Sequence, residues 1–206
     1  MKQLTRQSNK NSPQEYDRIF KERAKSEPNW QDVRRWKMLL KYYEGGSLID
    51  LGCLDSDIPK FIKYPNLYTG VDVVLEALVE MQKKYPHSHY EYSDLYNLPP
   101  VIKNFPHSYA ILGEVLEHLS EPKKAIREVF KTLKPNGILA ISVPLEEAKE
   151  PGACDKDRHL WSFTKQDIED LVKPYAKKIK TKVLRSKWFP KYRYCWPQLL
   201  LWAYKK

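Results

Sequence analysis

The 206-residue chain is long enough to bury the core of one α/β domain, and its composition, 42% hydrophobic and 13% aromatic, excludes a largely disordered protein. The formal net charge of +10 favours a polyanion or an anionic membrane surface as a partner, and equally an enzyme with lysine-rich helix faces. We expect neither a secretion signal nor a membrane span, because the longest apolar run covers only residues 199–204. Three scattered cysteines without a CxxC pair predict reduced thiols in a cytoplasmic protein.

The order of strand and helix patterns predicts one domain. We expect residues 1–14 to be flexible and residues 15–206 to form the domain, with one or two helices over residues 15–44, broken near Pro28. Apolar segments predict strands at residues 47–49, 67–72, 90–94, 109–113, 138–143, 178–186 and 198–205. Periodic segments predict helices at residues 58–64, 76–84, 120–133 (capped by Ser120) and 164–171 (capped by Thr164). Alternating strands and helices imply a mostly parallel sheet.

Three local expectations accompany these elements. The helix over residues 76–84 is expected to turn Leu75, Leu78, Val79 and Met81 inward. The Pro135-Asn136-Gly137 sequence predicts a turn, and the polar residues 146–158 predict a loop or lid.

Acidic residues follow four successive predicted strands. Asp50 and Gly52 come after the first, Asp72 after the second, Ser93-Asp94 after the third and Glu114 after the fourth. The carboxyl ends of parallel strands form the edge where open α/β sheets bind ligands. Asp72 stands 20 residues after Gly52, where a carboxylate can accept hydrogen bonds from both ribose hydroxyls, as in NAD-binding proteins as well. The pattern therefore predicts a nucleoside cofactor.

Two blocks of sequence resemble a known family. The stretch 47–62, SLIDLGCLDSDIPKFI, resembles motif I of class I S-adenosylmethionine (SAM)-dependent methyltransferases, with Leu54 and Ser56 in place of common glycines. The run AILGEVLEHL at 110–119, followed by LKPNG at 133–137, is similar to motifs IV and V of the type-11 and type-23 (UbiE/UbiG-like) groups. The resemblance spans residues 16–171. It implies a Rossmann-like, mostly parallel seven-stranded sheet with helices on both faces.

The resemblance also implies a cofactor site. SAM, with S-adenosylhomocysteine as product, would lie beneath the N-terminal helices, and the Ser93-Asp94 step would hold the adenine amino group. Alternatively, Asp94 caps a turn. The residues implied in cofactor binding are Asp50, Gly52, Cys53, Leu54, Asp72, Val73, Ser93, Asp94, Leu95, Glu114 and Val115.

Two histidines are candidates for chemistry. His118 follows the fourth strand, and His159 lies in the RHLWSFT stretch, which resembles the part of the family that contributes to the acceptor pocket. An oxygen or nitrogen nucleophile needs alignment with the methyl group and in some cases a base, which an imidazole can supply. The alternative for each histidine is a structural hydrogen bond near the cofactor.

A metal site is a further alternative. Glu114, Glu117 and His118 are spaced i, i+3, i+4, so one helical turn would place them on one face. With His159 they resemble the two-Glu, two-His metal cluster of small-RNA 3′-terminal 2′-O-methyltransferases (the Hen1 family). Because the same run occurs in metal-independent type-11 proteins, the site we assign contains no metal ligand.

The sequence thus predicts SAM-dependent methyl transfer to an oxygen or nitrogen atom of a small-molecule, lipid or sugar acceptor. RNA is the second candidate acceptor, favoured by the net charge and by the basic and aromatic residues 188–196. The alternatives for this tract are that it lies at a membrane interface or that it connects the last two strands. A third hypothesis is a non-catalytic, methyltransferase-like partner subunit, supported by the two missing glycines of motif I.

Overall fold

The computed structural model describes residues 1–3, 12–23, 30–145, 159–184 and 197–206. The strands are β1 (Lys2–Gln3), β2 (Leu48–Leu51), β3 (Tyr68–Asp72), β4 (His89–Tyr92), β5 (His107–Gly113), β6 (Leu133–Pro144), β7 (Trp161–Ser162), β8 (Ala176–Leu184) and β9 (Gln198–Lys205). The helices are α1 (Pro13–Arg23), α2 (Trp30–Leu39), α3 (Leu75–Lys84), α4 (Pro100–Lys103), α5 (Pro122–Lys131) and α6 (Lys165–Val172). Short 3₁₀ turns lie at Leu40–Tyr42, Ile58–Phe61, Pro65–Leu67, Leu95–Asn97 and Leu116–His118.

Within these residues, seven strands form one sheet in the order β4-β3-β2-β5-β6-β9-β8. The first five of these strands are parallel, and β9 is antiparallel to both of its neighbours. β1, which lies in the segment expected to be flexible, pairs with β7 outside this sheet. The mostly parallel seven-stranded sheet is confirmed, and its parallel half brings the ends of β2 to β5 to one edge.

The sheet is covered on both faces because side chains of a strand alternate between them. Along β6, Leu139, Ile141 and Val143 face a core built with α5 and α6, whereas Ala140 faces a core built with α2. β5 is apolar and almost fully buried from Tyr109 to Leu112, as a strand covered on both faces must be.

The segment in which one or two helices were expected contains α1 and α2 among its described residues, and Pro28 lies outside the described residues. The carbonyl of Leu39, at the end of α2, accepts hydrogen bonds from Tyr109 Oη at 2.5 Å and Trp202 Nε1 at 3.1 Å. These bonds fix the end of α2 to the sheet. α1 packs instead on α3, where Phe20 is buried with Val74 and Ala77.

Some local expectations were wrong. Leu75 and Val79 are 54% and 45% exposed, because α3 buries its Ala77, Leu78 and Met81 side instead. In the segment 58–64 only Ile58–Phe61 is helical, and it forms a 3₁₀ turn rather than the expected α-helix.

The predicted cap of α5 was also wrong, whereas that of α6 is confirmed. α5 starts at Pro122 with Glu121 as its N-cap, and Ser120 Oγ lies 3.3 Å from Tyr96 Oη. Thr164 and Asp167 form the predicted capping box at the start of α6.

The turn predicted at 135–137 lies within β6. Between the pairs His107–Leu133 and Tyr109–Ile138 the register shifts, and Asn136 adopts a φ of 64°. The predicted lid (146–158) and the basic aromatic tract (188–196) lie outside the described residues. Among the described helices, none combines the length and apolar character needed to cross a membrane.

Candidate active site at the carboxyl edge of the sheet

The turn after β2 is closed by backbone contacts to the neighbouring strand. Gly52 has a φ of 78°, and its N–H donates to the carbonyl of Val71 at 2.8 Å. A Cβ atom on Gly52 would lie 2.6 Å from Cγ2 of Val115, the residue after Glu114. Glycine is therefore required here both by the backbone conformation and by the close approach of the segment after β5.

Leu54 occupies one of the positions where the resembled motif has glycine, and it adopts a φ of 38°. This is the left-handed side of conformational space, which costs a side-chain-bearing residue about 1–2 kcal/mol. The Leu54 N–H donates to Asp72 Oδ2 at 2.9 Å, and its side chain packs against the buried cluster of Phe20, Val74 and Ala77. The missing glycine thus leaves the backbone turn in place, with these contacts offsetting the strain.

Asp72, the expected ribose ligand, lies at the end of β3 and already organises the turn around it. Its carboxylate accepts N–H bonds from Leu54, from Val73 at 2.8 Å and from Val74 at 3.0 Å. Burial raises the pKa of this carboxyl, while the backbone hydrogen bonds act in the opposite direction. Since a carboxylate has about four acceptor sites, one remains for a ligand hydroxyl.

Asp50 and Cys53 point into the protein. Asp50 is 3% exposed, and its Oδ2 accepts a hydrogen bond from Tyr68 Oη at 3.0 Å. Burial raises the pKa of Asp50 to about 6, against the lowering effect of hydrogen bonds from Ser56 and Tyr68. Burial also raises the pKa of the free thiol of Cys53 well above its ordinary value, so this cysteine is not a thiolate at neutral pH.

The segment after β4 has the geometry of a capped turn. Asp94 is exposed, and its Oδ1 accepts the N–H of Tyr96 at 2.9 Å, capping the 3₁₀ turn Leu95–Asn97. The Ser93 N–H donates to the carbonyl of Asp72 at 3.0 Å, which ties this segment to the end of β3. Leu95 is buried in the core on the α5 side. Asp94 therefore caps a turn, as the alternative interpretation of this residue predicted, and it also lies at the carboxyl edge of the sheet.

Glu114 stands out by conformation. It follows β5 with a φ of 58°, an uncommon value for a glutamate and one that clusters at functional sites. Its N–H donates to the Ser142 carbonyl at 2.9 Å, and its Oε2 lies 3.3 Å from the donor Gln198 Nε2. Its other oxygen, Oε1, is buried without a hydrogen-bond partner among the described residues. A hydrogen-bond donor from a ligand would satisfy this atom.

His118 and His159 are brought together although 41 positions separate them. Their rings lie edge to face with centroids 4.7 Å apart, and Tyr16 of α1 contacts His118 with a centroid distance of 5.8 Å. The backbone joins the two segments, because the Leu160 N–H donates to the Glu117 carbonyl at 2.7 Å. Trp161 Nε1 donates to the Leu119 carbonyl, also at 2.7 Å.

The expected single face of Glu114, Glu117 and His118 does not form, because only residues 116–118 make a helical turn and Glu114 precedes it in a left-handed conformation. Instead, one ligand atom each from Glu117, His118 and His159 lie within 4.8 Å of one another. Glu117 is 1% exposed, and its Oε1 lies 4.0 Å from His118 Nε2. One carboxylate and two imidazoles are donors that suit a divalent transition metal.

Three neighbours of this site were not predicted: Tyr16, Trp161 and Gln198. Trp161 lies within the RHLWSFT stretch that resembles the acceptor-pocket segment of the family. Which carbonyl accepts its N–H hydrogen bond, however, depends on the tertiary fold. Tyr16 and Gln198 carry no local signal, because α1 and β9 reach the edge only through tertiary packing.

The comparisons with known proteins agree with this architecture. A family model described as a methyltransferase domain matches residues 18–175, which is more than half of the chain. No protein of curated function matches the chain.

Solved structures share the fold at low identity. A SAM-dependent methyltransferase of Thermotoga maritima, described as a possible histamine N-methyltransferase, is 14% identical with a TM-score of 0.73, covering 93% of this chain and 98% of that one. The magnesium protoporphyrin IX methyltransferase of Synechocystis PCC 6803, solved with bound S-adenosylhomocysteine, is 16% identical (TM-score 0.65, 96% of each chain). The methyltransferase domain of the bacterial protein CtHen1-C is 17% identical (TM-score 0.62, 86% of this chain and 100% of that one). With its sheet in the fold of the class I methyltransferases and a family model that matches more than half of its length, this chain belongs to the methyltransferase-domain family.

Proposed function

We propose that the chain binds SAM along the edge formed by the ends of β2 to β5 and transfers its methyl group to an oxygen or nitrogen atom of a small-molecule acceptor. The observation that carries this proposal is the convergence, at one sheet edge, of the strained residues Leu54 and Glu114 with the paired rings of His118 and His159. SAM supplies an electrophilic methyl group on a sulfonium.

The residues present fit this ligand. Asp72 has an acceptor site left for a ribose hydroxyl, and Glu114 Oε1 is a buried acceptor that suits the ammonium group of the methionine end. Gly52 keeps the turn free of a side chain at its contact with Val115. We propose Val73, Ser93, Asp94 and the backbone of Cys53 and Leu95 as the remaining wall of the site, with the Asp94 oxygen that does not cap the turn directed to the adenine.

The histidine pair serves the acceptor. As the acceptor atom forms its bond to the methyl carbon, the C–S bond breaks with its electron pair on sulfur, and the acceptor loses a proton. Either His118 or His159 takes that proton, and the Glu117 carboxylate beside His118 favours the resulting imidazolium. A small-molecule acceptor is supported by the neighbours described as a possible histamine N-methyltransferase and as a magnesium protoporphyrin IX methyltransferase.

Calorimetric titration with SAM and S-adenosylhomocysteine tests the cofactor site. We expect micromolar binding by the wild type and at least tenfold weaker binding by Glu114→Gln, which keeps the size of the side chain and removes its charge. Glu80→Gln, on the exposed face of α3, is the matched control and should bind normally. Failure of the folded wild-type protein to bind either ligand would overturn the proposal in favour of a non-catalytic partner subunit.

Acceptor screening by release of S-adenosylhomocysteine tests the chemistry. With amines, phenols and RNA oligonucleotides as candidates, we expect a small-molecule acceptor whose kcat falls by about 10²–10⁴ in whichever of His118→Gln and His159→Gln removes the base. The affinity for SAM should stay unchanged in both variants. If both histidine variants kept the wild-type kcat, neither histidine would be the base.

A second candidate function, metal-assisted methyl transfer to RNA, is favoured by the clustering of Glu117, His118 and His159. These three residues would hold a divalent ion, which would polarise a ribose hydroxyl as a Lewis acid. Titration with Mn²⁺ followed by electron paramagnetic resonance tests the site without relying on activity. We expect binding that is lost in His159→Gln and retained in the exposed control His89→Gln. No bound Mn²⁺, together with full activity in EDTA, would contradict this candidate.

A further inference from the structure

A row of lysines occupies one face of the edge strand β8. Lys178, Lys180 and Lys182, here called the lysine row, pair in register with Tyr204, Trp202 and Leu200 of β9. Alternate residues of a strand project to the same side and are spaced by about 7 Å. Since Trp202 and Leu200 face the α2 side of the sheet, the lysine row lies on that side as well.

Aromatic rings hold the middle of the row. Lys180 Nζ lies 4.0 Å from the ring centroid of Tyr42 and 5.7 Å from that of Tyr204. Lys178 Nζ lies 5.5 Å from the Tyr204 ring, and Lys41 Nζ lies 5.1 Å from the Tyr42 ring. Two tyrosines from separate elements therefore fix several ammonium groups over one surface, through cation–π contacts that leave the charges accessible.

No carboxylate neutralises this surface within the described part of the chain. Lys41 and the lysine row take part in none of the ion pairs there, whereas lysines elsewhere, such as Lys83 and Lys131, pair with glutamates of their own helices. Lysines on an edge strand also protect it against pairing with other chains. That protection, however, requires neither the tyrosine contacts nor Lys41, which lies in the 3₁₀ turn after α2.

The row runs toward the active site. β8 is antiparallel to β9, which is antiparallel to β6, so β8 points to the same edge as the parallel strands. Its last residue, Leu184, pairs with Gln198, and Gln198 Nε2 reaches the Glu114 carboxylate. A chain lying along the row would therefore be led to the edge where methyl transfer is proposed.

We propose that the lysine row, with Lys41, Tyr42 and Tyr204, binds single-stranded nucleic acid through its phosphates. One line of regularly spaced, unneutralised cations complements one phosphodiester chain, whereas a duplex presents two. An anionic membrane is the weaker candidate, because peripheral binding also requires apolar side chains that insert between the lipids. The lysine row itself carries no such group, and Val183 on the same strand alternates to the opposite face. This binding function goes beyond the proposed methyl transfer and does not depend on SAM.

Fluorescence anisotropy with a labelled 20-nucleotide oligouridylate, in the absence of SAM, tests the inference. The triple variant Lys178→Glu/Lys180→Glu/Lys182→Glu should bind at least tenfold more weakly at about 0.1 M salt. Loss of three phosphate contacts should reduce the slope of log K against log salt by about 2, since each contact on a single strand contributes about 0.7. The control Lys60→Glu/Lys123→Glu/Lys173→Glu makes the same change in net charge on other exposed surfaces and should lose less than threefold.

Two further arms identify the partner. Tyr42→Phe keeps the ring under Lys180 and should bind like the wild type, whereas Tyr42→Leu should weaken binding. A single-stranded DNA of the same length should bind with similar affinity if the phosphates are what is recognised. Circular dichroism shows whether each variant is folded, and the triple lysine→Gln variant replaces the charge reversal if it is not.

The inference is overturned by equal losses in the two triple variants, by the absence of oligonucleotide binding, or by binding confined to phosphatidylserine vesicles. Because SAM is left out, these outcomes are distinct from a failure of the proposed methyl transfer.

Discussion

Gly52 and Val115 are in contact across the active-site edge, and this contact joins the turn after β2 to the segment after β5. A methyl group on Gly52 would lie 2.6 Å from Val115 Cγ2, and the φ of 78° disfavours any side chain there. We expect Gly52→Ala to lower the free energy of unfolding by about 1–3 kcal/mol, from overpacking and backbone strain together. Urea denaturation measures this loss.

The Gly52→Ala/Val115→Ala double variant separates the two causes. Because it removes the clash but not the φ strain, it should be less destabilised than the sum of the two single variants, with a coupling of about 0.5–3 kcal/mol. Additive losses would show that backbone conformation alone requires glycine at position 52.

The left-handed conformation of Leu54 predicts an order of stability among substitutions. At a φ of 38°, asparagine is tolerated, whereas a β-branched side chain is strongly disfavoured. We expect Leu54→Asn to be within about 1 kcal/mol of the wild type and Leu54→Val to lose about 1–2 kcal/mol more, by urea denaturation. If Leu54→Val were the more stable of the two, packing against the cluster of Phe20, Val74 and Ala77 would dominate over backbone strain.

Asp50 predicts a pH dependence of stability. Its pKa of about 6 in the folded protein lies above the value of about 3.9 in an unfolded chain, so the folded state binds the proton more tightly. Stability should therefore fall as the pH rises from about 4 to about 6, by an amount on the order of 3 kcal/mol for this group alone. Asp50→Asn should flatten the stability profile over this range.

Tyr68→Phe supplies a matched test of the same carboxyl. The Tyr68 hydroxyl donates to Asp50 and lowers its pKa, so its removal should move the loss of stability to higher pH. A profile that is identical in the wild type, Asp50→Asn and Tyr68→Phe would contradict the assignment.

Trp161 links the two histidine-bearing segments through its hydrogen bond to the Leu119 carbonyl. Trp161→Phe keeps most of the ring and removes the donor, which costs about 1 kcal/mol of stability. We expect it to lower kcat/KM for the acceptor at least tenfold, because the His118–His159 geometry loosens, while the Kd for SAM changes less than threefold. The control is Trp30→Phe, at an exposed tryptophan of α2, which should leave both quantities unchanged.

Most of the fold could be predicted because its signals are local. The strands β2, β3 and β5 are short segments with an acidic residue or glycine at or next to their last residue, and α6 starts at a Thr-x-x-Asp capping box. Predictions were wrong where a helix must choose between two apolar sides, as α3 does by burying Ala77 rather than Leu75 and Val79. Such a choice depends on which neighbour packs against the helix, and periodicity carries no information about it.

The sequence by itself determined the family, the mostly parallel sheet and the acidic residues at the carboxyl ends of its strands, because motif spacing follows the chain. Only the tertiary structure decided what those residues do there. It buries Asp50 in the core against Tyr68, and it uses three of the acceptor sites of Asp72 for backbone N–H groups. The left-handed conformation of Glu114 keeps this residue out of the helical turn that contains Glu117. The tertiary structure also brings His159 against His118 and lays the lysine row toward the same edge. Contacts between residues distant in sequence arise from packing and hydrogen bonding across the sheet, so no local pattern can specify them.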